Sequence, residues 1–533
     1  MAINRLDEKL KSVDPKFSVV QKQLKRQHLQ PFNDKRDVDA HVNATIEKIS
    51  HELERNYVWP LVLALFLLLQ SVISSGSYSG ARERPTFGDY EAQRHWMEIT
   101  VNLNINEWYF NTSQNNLTYW GLDYPPLTAY HSFVFGKIAE FVNPDWVALY
   151  NSRGFESSTH KLFMRLSVIV TMLLLYAPAS LSVYKFWYAD KKKANKPFAL
   201  IFSMLCFPGL LYVDNGHFQY NHIPLAFVLL AFKFLCTGQQ FAGSILFVLA
   251  LSFKQMSLYY ALPVFVFLLF KSFTKGFING CVNIVKLGVV VTLSFGVIWL
   301  PFLNPTQLPQ VLHRVFPIAR GLFEDKVATF WCAVSPIYKF HFLPIEYMVK
   351  ISSLIVLLAC VPTLLLLARR PNEKNFAYSL FLCSMAFFLF SVQVHEKTIL
   401  FVNLPALLLL GDHAELMTTF LFTSLFSMLQ LCVEDKLAQI YPLFVAYYLI
   451  LLFKLVSNEK LMSKLFHATN ILITSTLVFM HLFVKPPERL PHLFTLLIAE
   501  YSFVVFSATF AYVYYSNLMS NWASFFSTKK KMN

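Results

Sequence analysis

Tyr57 to Ser75 reads YVWPLVLALFLLLQSVISS, and Gly88 to Thr100, a few residues on, reads GDYEAQRHWMEIT. The first stretch carries no charge over 19 residues. At about 1.5 Å per helical residue that length is close to the ~30 Å hydrocarbon core of a bilayer. The second packs acidic side chains, an arginine, a histidine and a tryptophan into one run just outside the first span. A membrane helix followed by dense polar chemistry sets two expectations: more spans, and a site at their surface.

The rest of the chain repeats the apolar pattern. Runs of membrane length fall at about 162–188, 197–213, 222–237, 240–256, 257–272, 284–303 and 343–368. They continue at about 375–392, 398–411, 415–433, 437–456, 465–484 and 491–518, giving about fourteen transmembrane helices with the first. With 55% hydrophobic and 15% charged residues, a set of soluble domains is excluded and an all-α polytopic membrane protein is expected. The net charge of +14 does not indicate nucleic acid, because the lysines and arginines fill gaps between apolar runs. Seven cysteines, among them Cys206, Cys360 and Cys383 inside apolar runs, give no disulfide framework and no CxxC pair.

Residues 1–56 are polar and mixed in charge, so they read as a cytosolic tail ahead of a signal anchor. With that orientation Lys191-Lys192-Lys193, Lys271/Lys275, Arg369-Arg370, Lys460/Lys464 and Lys529-Lys530-Lys531 all fall on the cytosolic side, as the positive-inside rule requires. The opposite face receives loop 76–160, DNGHFQYN (Asp214–Asn221), Phe253-Lys254-Gln255, loop 304–342 and VQVHEKTIL (Val392–Leu400). Sorting of nearly all the unusual polar residues to one face argues for one composite site there. Asn111-Thr112-Ser113 and Asn116-Leu117-Thr118 are sequons in the first of these loops, making Asn111 and Asn116 glycan candidates.

Each polar motif admits two readings. Thr86 and Asp89 fit a capping box opening a helix over 89–100, or Asp89 is a carboxylate held at the membrane surface as a general base. Along that helix Glu91 can answer Arg94 at i,i+3 and His95 at i,i+4, leaving Asp89 for chemistry. YWGLDYPPLTAYH (Tyr119–His131) leads through Pro125-Pro126 into an amphipathic interfacial helix over 127–141, where Trp120 and Tyr124 are structural or touch substrate and Asp123 is a secondary site candidate. In RVFPIARGLFEDKVATFWC (Arg314–Cys332) the basic residues either snorkel or clamp a phosphate, with Arg320 first for that role. His395 and Lys397 either mark a span end or donate to a phosphate oxygen, and Asp214, His217 and Gln219 bind sugar hydroxyls or cap spans.

These motifs, with SRGFES (Ser152–Ser157) and FKQM (Phe253–Met256), occur in one order that resembles the endoplasmic-reticulum glucosyltransferases using dolichyl-phosphate glucose. The likeness runs from about residue 76 to about 400 and is greatest to those adding the first glucose, in α-1,3 linkage, to the dolichyl-pyrophosphate-linked nonamannosyl oligosaccharide. It implies a GT-C fold, an inverting transfer and a catalytic aspartate at Asp89. It also implies a catalytic module over 57–412 and C-terminal transmembrane helices over 413–533. A departing phosphate is a stable anion and needs no general acid, so one carboxylate suffices where a glycosidase uses two. Arg320, His395 and Lys397 are then expected at the donor phosphate, with Lys254 a further candidate. No cofactor and no metal are expected, since no DxD-like pair stands out. Asn215 departs from the family's usual Asp-His-Gly-His. Lys530-Lys531 has the pattern of a dilysine retrieval signal, which fits that compartment and a cytosolic C-terminus. Competing readings are the sister enzyme adding the second glucose, a lipid-oligosaccharide transporter, which would place ionisable groups near mid-bilayer, and a non-catalytic scaffold, which would leave the one-sided clustering without a cause.

Overall fold

The computed structural model describes residues 57–188, 197–274, 276–316, 327–456 and 460–530. The chain divides into residues 1–61, of which 57–61 open the first helix, and residues 62–533, which hold everything below. Among the described residues all regular structure is helical.

Among the described residues eight helices are long and apolar enough to cross a membrane: Ser158–Trp187, Phe198–Phe218, Gln255–Phe273, Phe277–Phe302, Ile345–Arg369, Ala438–Leu455, Leu461–Phe483 and Leu493–Asn521. Trp59–Ser75, His222–Cys236 and Gln240–Phe253 are shorter apolar helices. Burial separates them by place. Phe277–Phe302 is only 6% covered over its most apolar 18 residues, and Val285, Leu293 and Val297 point outward, as in a lipid-facing helix. Phe198–Phe218 is 94% covered and runs through the centre of the bundle.

Two expected spans differ in detail. The 415–433 run breaks into Ala414–Ser427 and Leu429–Glu434, so Asp435 comes to a buried position at its end. The 197–213 run extends to Phe218 through a π-helical turn, Tyr212–Phe218. Such a turn displaces the side chains that follow it and recurs at functional sites.

The loop after the first helix is itself folded. Asp89–Asn102 packs on Pro126–Val142, and Gly136 permits the approach: a Cβ there would lie 2.6 Å from Val101 Cγ2 and 3.0 Å from the Met97 carbonyl. Trp96, Ile99, Tyr109 and Leu122 form one apolar core with Phe302, Val311 and Val315, which ties helix Gln307–Val315 to the same body. Burying side chains of this size contributes roughly 1.5–3 kcal/mol each. The helix expected over 127–141 is present with proline in its first turn, and it leaves Val134, Ile138 and Phe141 exposed on one side. That apolar outer face suits a membrane interface.

Candidate active site

Asp89 is the first residue of its helix, but not through a capping box. The N-cap is Gly88, in extended backbone, and it makes no side-chain cap bond. Gly88 is needed because the chain folds back on residues 79–80: a Cβ at 88 would lie 2.5 Å from the Ser79 carbonyl carbon and 2.7 Å from the Gly80 nitrogen. The Asp89 N–H then donates to Ser79 Oγ (3.1 Å), and the Ser79 N–H donates to the His217 carbonyl (3.2 Å). One short segment thus fixes Asp89 against the π-helical turn.

Asp89 is not without partners, as helix spacing alone suggested; they come from far along the chain. Lys397 Nζ donates to Asp89 Oδ2 at 2.8 Å, His217 Nε2 stands 3.0 Å from the same oxygen, and Gln219 Nε2 also donates to it. Burial acts to raise the Asp89 carboxyl, but the Lys397 ammonium and His217 outweigh it and hold the group well below the ordinary carboxylate range. Burial alone would pull Lys397 down, and the Asp89 charge instead raises it. Asp89 keeps 24% of its surface and lines a cavity of about 1030 Å³, so it is both anchored and accessible.

The cavity is lined by polar and apolar side chains together. Gln93, Asp123, Gln219, Asn221, Lys254, Arg314, His395 and Lys397 line it with Asp89, alongside Trp96, Trp120 and Tyr124. Leu258, Tyr259, Val349, Val356, Leu357 and Phe387 line it too, with Ser352 and Ser353 on the same helix as Val349 and Val356. Lys254 Nζ donates to Gln219 Oε1 (3.1 Å) and Asn221 Oδ1 (2.6 Å) and sits 4.9 Å from the Tyr124 ring centre. It thereby turns the Gln219 amide so that its NH₂ faces Asp89.

The expected site residues separate by position. Asp89, His217, Gln219 and Lys397 meet directly, and Asp123, Tyr124, Lys254 and His395 line the same cavity. Asp214 does not reach it. Its carboxylate accepts from the Asn221 N–H (3.0 Å) and Nδ2 (2.8 Å) and the His222 N–H (2.8 Å), and its Oδ2 lies 2.8 Å from His222 Nδ1, so it shapes the turn from within. Asn215, the departure from the family pattern, is buried against Met172 Sδ (3.4 Å) and Ser74 Oγ (3.5 Å), away from Asp89. Arg320 lies outside the described residues. Asn111 and Asn116 are exposed.

The helix charges pair as spacing suggested, with one change. Arg94, fully buried, is forked onto Glu91 (2.8 and 2.7 Å) and also meets Glu98 (2.6 Å). His95 turns to Glu98 (3.1 Å) instead of Glu91. Two residues that sequence reasoning passed over belong to the site. Arg314 lines the cavity while donating to the Gly121 (2.8 Å) and Leu122 (3.2 Å) carbonyls. Asp435 Oδ2 lies 2.8 Å behind His217 Nδ1 and accepts from Tyr212 OH at 2.6 Å.

Helices of membrane length around a cavity lined by polar and apolar groups, with the Asp89 carboxylate held by Lys397 inside it, fit an integral-membrane enzyme. Comparison with known proteins makes the class specific: the ALG6, ALG8 glycosyltransferase family matches residues 62–512, and the chain belongs to that family. A Caenorhabditis elegans relative, named probable dolichyl pyrophosphate Man9GlcNAc2 alpha-1,3-glucosyltransferase, is 44% identical over 88% of this chain and 90% of its own length. A Rattus norvegicus relative, named dolichyl pyrophosphate Man9GlcNAc2 alpha-1,3-glucosyltransferase, is 42% identical over 88% of this chain and 98% of its own. One from Arabidopsis thaliana, also named as a probable enzyme of that kind, is 37% identical over 86% and 88%.

Proposed function

We propose that the protein transfers glucose from dolichyl-phosphate glucose to the dolichyl-pyrophosphate-linked nonamannosyl oligosaccharide in α-1,3 linkage, with inversion, on the lumenal side of the endoplasmic reticulum. The observation that carries the reading is Asp89, ionised beside Lys397 and partly open to a cavity lined by both polar and apolar side chains. A lipid-linked donor is itself amphipathic: its polyprenyl chain suits Leu258, Val356, Leu357 and Phe387, and its phosphate suits Lys397 and His395. Arg320 is assigned to the same phosphate from its place in the 304–342 loop.

Asp89 takes the proton of the acceptor hydroxyl as that oxygen bonds to the anomeric carbon. The anomeric carbon–oxygen bond to phosphate breaks with its electron pair on the phosphate, which leaves as dolichyl phosphate. Attack opposite the departing group inverts the centre. Asp123, Tyr124 and Lys254, with Trp96 and Trp120, line the space left for sugar. The relatives' names favour the enzyme of the first glucose over its sister in the same family.

The fold that goes with this function is GT-C, with about fourteen spans and both termini cytosolic. The 57–412 module carries the chemistry, and Asn111 and Asn116 are on the lumenal side. The test is transfer by the full chain in proteoliposomes, with dolichyl-phosphate glucose or a nucleotide glucose as donor and acceptor with or without its first glucose. Product only from the lipid donor and only on the unglucosylated acceptor is expected; transfer from the nucleotide sugar, or only onto the monoglucosylated acceptor, would contradict the assignment.

A further inference from the structure

The helix Asp89–Asn102 carries a second polar residue on the face that bears the base. Asp89, Ala92, Gln93 and Trp96 all line the cavity, and their spacing of three and four places them on one side of the helix. Glu91, Arg94 and Glu98 pair with one another away from it. Gln93 is 4% exposed, and among the described residues its amide has no hydrogen-bond partner. Other polar side chains of the same helix close on its backbone: Thr100 Oγ1 donates to the Trp96 carbonyl (2.6 Å) and Asn102 Nδ2 to the Glu98 carbonyl (2.8 Å). Gln93 does neither, although burying an amide without a partner is unfavourable. The base one turn earlier is arranged to receive a substrate beside it. Lys397, His217 and Gln219 all meet Asp89 at Oδ2, which leaves Oδ1 for the acceptor hydroxyl.

We propose that Gln93 determines acceptor specificity, its amide binding a hydroxyl next to the one that Asp89 deprotonates. This rests on Asp89 being the base. Residues four apart on a helix have Cβ atoms about 5–6 Å apart, a span that neighbouring hydroxyls of one sugar ring can bridge. An amide offers both N–H and C=O, so it meets a hydroxyl as donor or as acceptor. A carboxylate in its place would stand at i,i+4 from Asp89 and repel it. The aromatic wall beside Gln93 suits the other side of the same ring. Trp96 Nε1 donates to the Trp120 carbonyl (2.9 Å) and Trp120 Nε1 to the Thr86 carbonyl (2.5 Å), so both indole N–H groups are spent on backbone and the ring faces are left for sugar C–H groups. In an α-1,3 transfer the attacked oxygen is the 3-hydroxyl of the terminal mannose. Its neighbours are the 2- and 4-hydroxyls, and Gln93 reads one of them.

The test uses the full chain in proteoliposomes with three acceptors: the complete nonamannosyl lipid and versions whose terminal mannose is 2-deoxy or 4-deoxy. Wild type should lose about 10-fold or more in kcat/KM on one of the two deoxy acceptors, as a site built to bind a hydroxyl does when it is missing. Gln93→Leu should show a similar loss on the complete acceptor, with the donor KM within about twofold of wild type. On that same deoxy acceptor it should lose little more, because the missing hydroxyl no longer has a partner to lose. A merely structural glutamine would give losses that multiply. Wild-type kcat/KM for Gln93→Leu, a loss carried by the donor KM, or a full further loss on both deoxy acceptors would overturn the proposal. If Gln93→Leu does not fold, the wild-type chain and Gln93→Asn, which draws the amide back, decide. Equal use of all three acceptors by wild type, or wild-type kcat/KM for Gln93→Asn, overturns the contact; a loss by both supports it. Asp89→Asn assayed in parallel keeps the two ideas apart. An inactive Asp89→Asn beside an unaltered Gln93→Leu sinks only the acceptor contact, whereas an active Asp89→Asn sinks the base assignment and the contact with it.

Discussion

Replacing Gly88 by alanine is a one-carbon change that should all but stop transfer. The added Cβ would lie 2.3 Å from Ser79 Oγ and 2.5 Å from the Ser79 carbonyl carbon, against an ordinary contact that begins near 3.4 Å. The hydroxyl could swing away, but the Ser79–Gly80 peptide bond is main chain, so backbone must still move by about 0.9 Å. The next residue is Asp89, whose Oδ2 is set by contacts of 2.8 Å to Lys397 and 3.0 Å to His217. A misplacement near 1 Å costs roughly 10²-fold in rate when reacting groups must be aligned. Losing the bond from the Asp89 N–H to Ser79 Oγ adds about 1 kcal/mol of destabilisation. The assay is kcat for glucose transfer in proteoliposomes, with donor-lipid binding measured on the same sample. Gly288→Ala is the control, since nothing lies within 4 Å of a Cβ there and the helix should tolerate it. Wild-type kcat for Gly88→Ala would refute the claim that this close approach sets the position of the base.

Three further outcomes follow from the same contacts. Lys397→Met should lower kcat by about 10²-fold or more through loss of a cation at the phosphate. It should also move the acid limb of the pH–rate profile upward: Lys397 holds the Asp89 carboxyl down, activity is lost as pH falls through that value, and removing the ammonium raises it. An unmoved limb would argue against Asp89 as the titrating base. The Glu98 carboxyl, which burial pushes up but His95 and Arg94 hold at about 2, contributes stability present above its usual 4.5 and lost as pH falls toward 2. Removing one partner of a buried ion pair costs about 3–5 kcal/mol, so Glu98→Gln should lower stability by about that much in a detergent melt at pH 7 and by little below pH 2. Chelation with EDTA should leave turnover unchanged, because two ammonium groups, Lys397 and Lys254, already line the cavity with Asp89; loss of activity restored by a divalent cation would contradict this.

Local spacing made some of the site legible and hid the rest for definite reasons. The Glu91–Arg94 pair follows from i,i+3 geometry on a helix, and the membrane sorting of loops put Asp89, Lys397, His395 and Lys254 on one face. Thr86-Phe87-Gly88-Asp89 resembled a capping box because the residue types fit, but the deciding contact is between residues 79–80 and 88, which no helix template contains. Asp214 and His217 lie in one motif yet face opposite ways, since a π-helical turn does not keep the side-chain spacing of an α-helix. Asp435 could not be read at all: it is one of two adjacent acids, Glu434 and Asp435, closing an apolar run, and its meaning comes from contact with His217, 218 positions away. Arg314 was passed over within its basic stretch, although it lies at the end of the amphipathic Gln307–Val315 helix that the aromatic core holds in place.

The central claim is that one carboxylate, Asp89, is the base for transfer from a lipid-phosphate sugar. Purified Asp89→Asn, reconstituted with dolichyl-phosphate glucose and the dolichyl-pyrophosphate-linked nonamannosyl acceptor, measures it directly when donor binding and thermal unfolding are followed beside product formation. The account predicts no glucosylated product above background from a protein that folds and binds donor as wild type does. Turnover near the wild-type rate would contradict it.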